Sequence, residues 1–238
     1  MQLHLFPQPD LAKLSEEIFA AYFDCRKNKR NKINALKFEK HLEHNLFRLI
    51  EEIYSGQYQP SRSIAFIVNK PIKREIFAAD FRDRIVHHWL INKLNPMFEA
   101  LFITDSYACR EKKGVHYGVQ RVNDFIKDCS KNYTLDCYIL KLDVQGFFMH
   151  INRKLLFQKL EQFVHDNYFA NDKNLLLEIT RKIIFNNPVQ KCLIKGSLRE
   201  WEGLPESKSL FHSPEDCGLP IGNLTSQVFA NFYMHPFD

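Results

Sequence analysis

The sequence predicts an α+β protein, and three observations carry that expectation. Apolar residues recur at helical spacing, best seen at Phe38, Leu42, Leu46, Leu49, Ile50 and Ile53, with Glu39, Lys40, Glu43 and Glu51 lying off that face. Two short strand-like runs, Ser63 to Val68 and Ile72 to Ala78, flank the turn signal Asn69-Lys70-Pro71. A further apolar run, Tyr138 to Val144, has strand character and carries an acid, Asp143, near its end.

With 238 residues, 45% of them hydrophobic, the chain has enough apolar surface for one large core or two smaller ones. Its 21 phenylalanines suit packed helices. No apolar run is long enough to cross a bilayer, and Met1-Gln2-Leu3-His4 lacks the basic start of a signal peptide. No membrane partner is therefore expected. The six cysteines are Cys25, Cys109, Cys129, Cys137, Cys192 and Cys217. They are scattered and form no Cys-x-x-Cys pair, which argues against structural zinc and against a disulfide framework. A reducing cytoplasm is the expected location.

The first helix is expected over residues 10–24, where Leu11, Leu14, Ile18 and Tyr22 recur at helical spacing. The run Arg26-Lys27-Asn28-Lys29-Arg30-Asn31-Lys32 follows, with five basic residues in seven. It reads either as a solvated linker or as a contact for a phosphate backbone. The helix marked by Phe38 to Ile53 ends at Ser55-Gly56. The hairpin carries Lys70, Lys73 and Arg74 near its tip, where they can close on an anion or simply protect an edge. Asp80 is placed to cap a long helix striped by Ile85, Trp89, Leu90, Leu94, Met97 and Phe98, which Pro96 kinks or ends. Asp83 lies in its first turn, where an acid complements the helix dipole. After a break at Thr104-Asp105-Ser106, Lys112-Lys113-Gly114 opens a helix with Val115, Val119, Val122 and Ile126 on one side.

The run Tyr138 to Phe148 is the centre of the chain. Ile139, Lys141 and Asp143 share one strand face; Tyr138, Leu140, Leu142 and Val144 share the other. An apolar strand keeps a carboxylate when that group meets a cation, a donor or water. Gly146 permits close backbone approach, and Phe147-Phe148 form an aromatic wall. Together they suggest a metal-and-phosphate site. The plainer alternative is an edge-strand Asp143 paired with Lys141 or capping the next helix. Asn152 is the expected N-cap of a helix through Leu155, Leu156, Leu160 and Val164, and another helix runs from Asp172 to about Phe185. Residues 188–217 exceed an ordinary loop in length, with Trp201 and Phe211 expected to pin them. The stretch from Gly218 to Gln227 is a Gly/Pro turn leading into a helix of Val228, Phe229, Phe232 and Tyr233, a resting place for a phosphate or a base.

Taken in order, these stretches resemble reverse transcriptases from about Phe38 onward. The residues that carry the resemblance are Lys70-Pro71-Ile72-Lys73-Arg74, Phe81 to His87, Ser106-Tyr107-Ala108-Cys109-Arg110, Lys141 to Phe148, and Gly218 to Gln227. The resemblance implies a right-hand polymerase. Residues 1–37 would form a basic N-terminal extension, 38–132 the fingers, and 133–238 part of a palm with a ferredoxin-like sheet and an insertion at 187–217. It implies that Asp143 is a catalytic metal ligand, that the Val144 carbonyl completes the coordination, and that the ion is Mg²⁺ or, alternatively, Mn²⁺. Lys70, Lys73 and Arg74 would grip the triphosphate, with Gly146 and Phe147 donating backbone N–H groups to it. Phe148 would block a ribose 2′-OH, while Ile221 and Gly222 would pack on the nucleotide and the templating base. Arg26, Lys27, Lys29, Arg30 and Lys32, with Arg110, would contact RNA.

The implied activity is RNA-directed DNA synthesis from a template RNA, a DNA or RNA primer and dNTPs. Ile221 stands where most such enzymes carry Gln, and Gln227 where most carry Pro. The Ile-Gly-x-x-x-Ser-Gln pattern resembles the enzymes of diversity-generating retroelements, which copy RNA with frequent errors and use a small basic accessory protein. An apolar Ile wall lacks the hydrogen bond that Gln offers near sugar and base, so selection there weakens. No Tyr/Phe-x-Asp-Asp motif and no thumb appear before Asp238. A fragment inactive on its own is therefore expected, with a non-catalytic RNA-binding scaffold and a defence-system reverse transcriptase as alternatives.

Overall fold

The computed structural model describes residues 10–27, 29 and 31–238. It begins with α1 (Leu11–Arg26), α2 (Ile33–Glu39) and α3 (Leu42–Tyr54), then β1 (Ile64–Val68) and β2 (Arg74–Ala78). Next come the long α4 (Phe81–Leu101), α5 (Val115–Cys129), the single turn α6 (Phe147–His150), α7 (Arg153–Asn167) and α8 (Lys173–Phe185). A short β3 (Leu193–Ile194), several 3₁₀ turns and α9 (Leu224–Met234) complete the order.

The ends of these helices follow from local chemistry. The Asp10 carboxylate accepts from the Ala12 N–H at 2.9 Å to start α1, and Asp80 accepts from the Arg82 N–H at 3.1 Å to start α4. The Asn152 side chain accepts from the Leu155 N–H at 2.9 Å to start α7. α4 runs through Pro96 to Leu101 rather than stopping there. The helix expected as one unit from Phe38 is two, with Phe38 on α2 and the rest of its stripe on α3.

The main core is helical. Ile18 and Tyr22 of α1, Leu46 and Ile53 of α3, and Trp89, Leu90 and Phe98 of α4 are buried together. Leu160 of α7, Ile179 of α8 and Phe229 of α9 close it from the other side. Burying each such side chain contributes about 1.5–3 kcal/mol, which outweighs the modest helix propensity of so many aromatic and branched residues.

The sheet is small. β1 pairs antiparallel with β2 in a register that sets Phe66 opposite Ile76, and parallel with β3, which sets Ile64 opposite Leu193. β3 comes from the long insertion, so the insertion is stitched to the base of the hairpin. The stitch is reinforced by Glu75, a buried carboxylate on β2. It accepts from Trp201 Nε1 at 2.7 Å, from Ser209 Oγ at 2.8 Å and from the Leu210 N–H. Trp201 and Phe211 do pin the insertion: their rings meet edge-on, and Phe211 packs on Phe77 at 5.4 Å.

Two expectations are corrected. Residues 136–144 form no strand, and no sheet passes through them among the described residues, so the expected ferredoxin-like palm sheet is not formed there. An extended segment becomes a strand only when another strand takes up its N–H and C=O groups, and no described segment does. Tyr138, Leu140 and Leu142 are accordingly exposed, Tyr138 at 92%. The apolar side of α5 is uncovered as well. Val115, Val119, Val122 and Phe125 are exposed, and no residue of that helix is buried.

Candidate nucleotide and nucleic-acid site

Three distant stretches converge beside the hairpin. At the entrance to α6, Gly146 has φ +61°, a left-handed conformation that suits glycine. A Cβ there would lie 2.6 Å from the Ser207 carbonyl oxygen, so the position also excludes any side chain. The turn places Phe147 and Phe148 at right-angle-like contact, with ring centroids 5.6 Å apart. At the exit of α6 the chain is tied to the Gly/Pro turn. The Leu219 N–H donates to the Phe148 carbonyl and the Gly218 N–H to the Ile151 carbonyl, both at 2.9 Å.

The same turn is tied to the hairpin from its other end. The Phe77 N–H donates to the Ile221 carbonyl at 2.8 Å, and the Asn223 side chain accepts from the Ala79 N–H at 3.0 Å. Gly222 has φ +118°, and a Cβ there would strike Ile76 Cγ2 at 2.7 Å. Any larger residue at 222 would push the turn off β2. Phe148 and Ile221 then pack against one small cluster of Ala65, Phe77, Met149 and Leu210. The residues singled out at 148, 221 and 222 are therefore one wall, built on the hairpin.

The cations and acids are distributed less evenly. Arg74 opens β2, is exposed and has no partner among the described residues, so its guanidinium is available to an anion. Lys70 is exposed too, whereas Lys73 Nζ donates to the Glu202 carbonyl at 2.6 Å. Asp143 and Val144 are exposed on the unpaired segment. Among the described residues no cluster of three or more His, Cys, Asp or Glu side chains is placed to hold a metal ion. One carboxylate and one carbonyl make only part of the oxygen donor set that a hard divalent ion takes.

The basic run is mostly spent locally. Arg26 pairs with Glu39 at 2.5 Å and Lys27 with Asp24 at 2.7 Å, which holds the Asp24 carboxyl below its usual range. Burial lowers the Lys29 ammonium pKa, and Arg84 nearby adds to the shift. Lys32 is exposed at the start of α2, and Arg30 lies outside the described residues. Arg110 is placed differently from the expectation that it reaches RNA. Its guanidinium is buried, paired with Glu99 at 2.8 Å, and donates to the Ile103 and Ser106 carbonyls at 2.6 and 2.9 Å. With its donors satisfied inside, it is a strut between the end of α4 and the following loop.

Two buried acids were not singled out as functional or structural anchors. Glu75 sits on an alternating strand with no sequence signal that marks it as buried. Asp83 is almost wholly buried and accepts from Tyr58 Oη at 3.1 Å and the Ser61 N–H at 2.8 Å. Burial pushes its carboxyl up to about 6.

Comparison with known proteins sets this geometry in context. No family model matches the chain. It is 24% identical over 208 residues to Protein YkfC of Escherichia coli (strain K12), covering 87% of this chain and 48% of that relative. Among solved structures it superposes on the "Partial Cas6-RT-Cas1--Cas2 complex" with a TM-score of 0.52 at 18% identity, covering 96% of this chain and 34% of that one. The "Cas6-RT-Cas1--Cas2 complex" gives the same TM-score and identity, with 21% of that chain covered. The chain thus spans about half of the curated relative and a third or less of the structural ones. At these identities the likeness is one of fold, a mixed α+β architecture shared with part of those chains.

Proposed function

We propose that this chain is the fingers and part of the palm of an RNA-directed DNA polymerase, acting on a template RNA, a primer and dNTPs. The observation that carries this proposal is the convergence of β2, α6 and the 218–223 turn. Two backbone hydrogen bonds, Leu219 N–H to Phe148 O and Phe77 N–H to Ile221 O, join stretches separated by roughly seventy residues and more. A fold similar to reverse transcriptases supports it further. In this assignment Arg74, assisted by Lys70 and less by Lys73, holds the triphosphate of the incoming nucleotide. Gly146 and Phe147 present backbone N–H groups, Phe148 bars a 2′-OH, and Ile221 and Gly222 back the base pair. The lower chemical selectivity of an apolar residue at 221 fits error-prone copying.

Asp143 would serve as one oxygen ligand to a divalent ion, which would activate the primer oxygen and neutralise phosphate charge. This assignment needs a second carboxylate beside Asp143, and no cluster of three or more metal-ligating side chains among the described residues supplies one. A polymerase would place it on a strand paired with residues 138–144, whose backbone and apolar side chains are unpartnered. A small basic accessory protein and a larger assembly of the kind the structural neighbours form are both compatible partners. One observation favours a second assignment. The lone carboxylate suits a scaffold that binds RNA without catalysis.

Primer extension by the complete natural protein separates the two. Asp143→Ala should lower DNA synthesis by about a thousandfold or more while RNA binding stays within about twofold. Undiminished extension by the variant removes Asp143 from the chemistry. No extension by the unaltered protein, with RNA binding intact, supports the scaffold.

A further inference from the structure

A large cleft lies beside the hairpin base. Its volume is about 1280 Å³, and its rim is built by residues 59–63, the end of α8 with the loop to residue 191, and residues 210–218. That exceeds the roughly 300–1,000 Å³ of a small-molecule pocket. Five cations and three acids line it. Lys182 is paired with Glu178 at 2.7 Å, and Asp216 with Lys154, which lies outside the lining, at 2.6 Å. Arg62, Arg153, Arg181 and Lys191 then face one acid without an ion pair, Glu215.

Several of these groups are unsatisfied. The Arg181 and Lys191 head groups have no partner among the described residues. Arg153 Nε and Ser213 Oγ are buried without a hydrogen-bond partner, which is rare for buried polar atoms unless a ligand completes them. Arg62 Nε donates only to the Lys191 carbonyl at 2.9 Å, leaving its terminal nitrogens free. Phe185 and Phe211 also line the cleft, the latter 37% exposed. Unpaired cations in a groove that aromatic side chains also line are what a single-stranded nucleic acid needs: phosphate contacts for affinity and rings for base stacking.

We propose that this cleft binds single-stranded nucleic acid, as a track for template not yet copied. The template role rests on the polymerase assignment above, because Gly218, which lines the cleft, begins the turn that carries Ile221 and Gly222. The binding itself does not rest on it.

The test is fluorescence anisotropy of the 238-residue chain with a labelled single-stranded RNA of about 12 nucleotides, without primer or dNTP, over a salt series. Arg62, Arg181 and Lys191 are exposed, so Arg62→Glu/Arg181→Glu/Lys191→Glu should fold. It should bind at least about tenfold more weakly, with the salt slope reduced by about two. A control with the same charge change at exposed Lys13, Lys127 and Lys131 should bind within about twofold of the unaltered chain. Equal binding by the cleft variant, or an equal loss in the control, overturns the cleft and leaves the nucleotide site standing. Ready displacement of the strand by UMP also overturns it, in favour of a small phosphate ligand. No RNA binding by the unaltered chain overturns both this cleft and the template-binding assignment.

Discussion

Asp83 shows how a residue's neighbours in space override its position in sequence. In the first turn of α4 it looks like a complement to the helix dipole, yet Tyr58 and Ser61 bury it as an acceptor. Burial raises its carboxyl from 3.8 to about 6. The folded chain therefore holds a proton more tightly than the unfolded one. Stability from this group is complete below pH ~4 and is lost as pH rises through ~6, by about 3 kcal/mol in all. Asp83→Asn removes the charge and keeps one acceptor oxygen for the Ser61 N–H, while its amide NH2 can donate to Tyr58 Oη. Its unfolding free energy relative to the unaltered chain should therefore grow between pH 4 and pH 7 in urea titrations. A difference that stays flat over that range would contradict the burial account. Arg110 teaches the same lesson with the opposite charge. A cation next to a motif invites a nucleic-acid role, but Glu99 and two carbonyls have already claimed it.

At the level of elements, what was legible was what is local. The stripes of α1, α3, α4, α7 and α8 repeat within a few residues of themselves, and the caps Asp80 and Asn152 act within three positions. The hairpin was readable from its turn. Pairing is not local, and there the reading failed. Residues 138–144 have the composition of a strand but no partner, and the stripe on α5 has no core to enter. The insertion shows the converse: nothing in 187–217 announced β3, because its two strand residues owe their state to β1. Its attachment depends on Glu75, whose loss would leave Trp201, Ser209 and Leu210 donors without their acceptor. Glu75→Ala should destabilise the insertion by about 3 kcal/mol, since each stranded donor costs about 1–3 kcal/mol less any water that enters. Limited proteolysis should then cut within 193–209 first. An unchanged cleavage pattern would mean that β3 and the Phe77–Phe211 contact hold the insertion unaided.

At the scale of the whole molecule, the chain builds a wall of Phe148, Ile221 and Gly222 on the hairpin and a basic cleft beside the hairpin base, with the helical core as their support. The five motifs were visible one at a time in the sequence. The convergence of three of them, on β2, α6 and the 218–223 turn, was visible only through the order in which a known family carries them, because the bonds that join them span residues 77, 148, 219 and 221. The apolar sides of α5 and of residues 138–144 are uncovered among the described residues. The most direct measurement is sugar selectivity in primer extension, comparing the complete natural protein with its Phe148→Ala form. If Phe148, Ile221 and Arg74 enclose the incoming nucleotide, removing the ring should cut the preference for dNTP over rNTP, as a ratio of kcat/KM, by about tenfold or more. An unchanged ratio in an enzyme that still extends primers would contradict the account, because the wall built by these three segments would not be where the nucleotide binds.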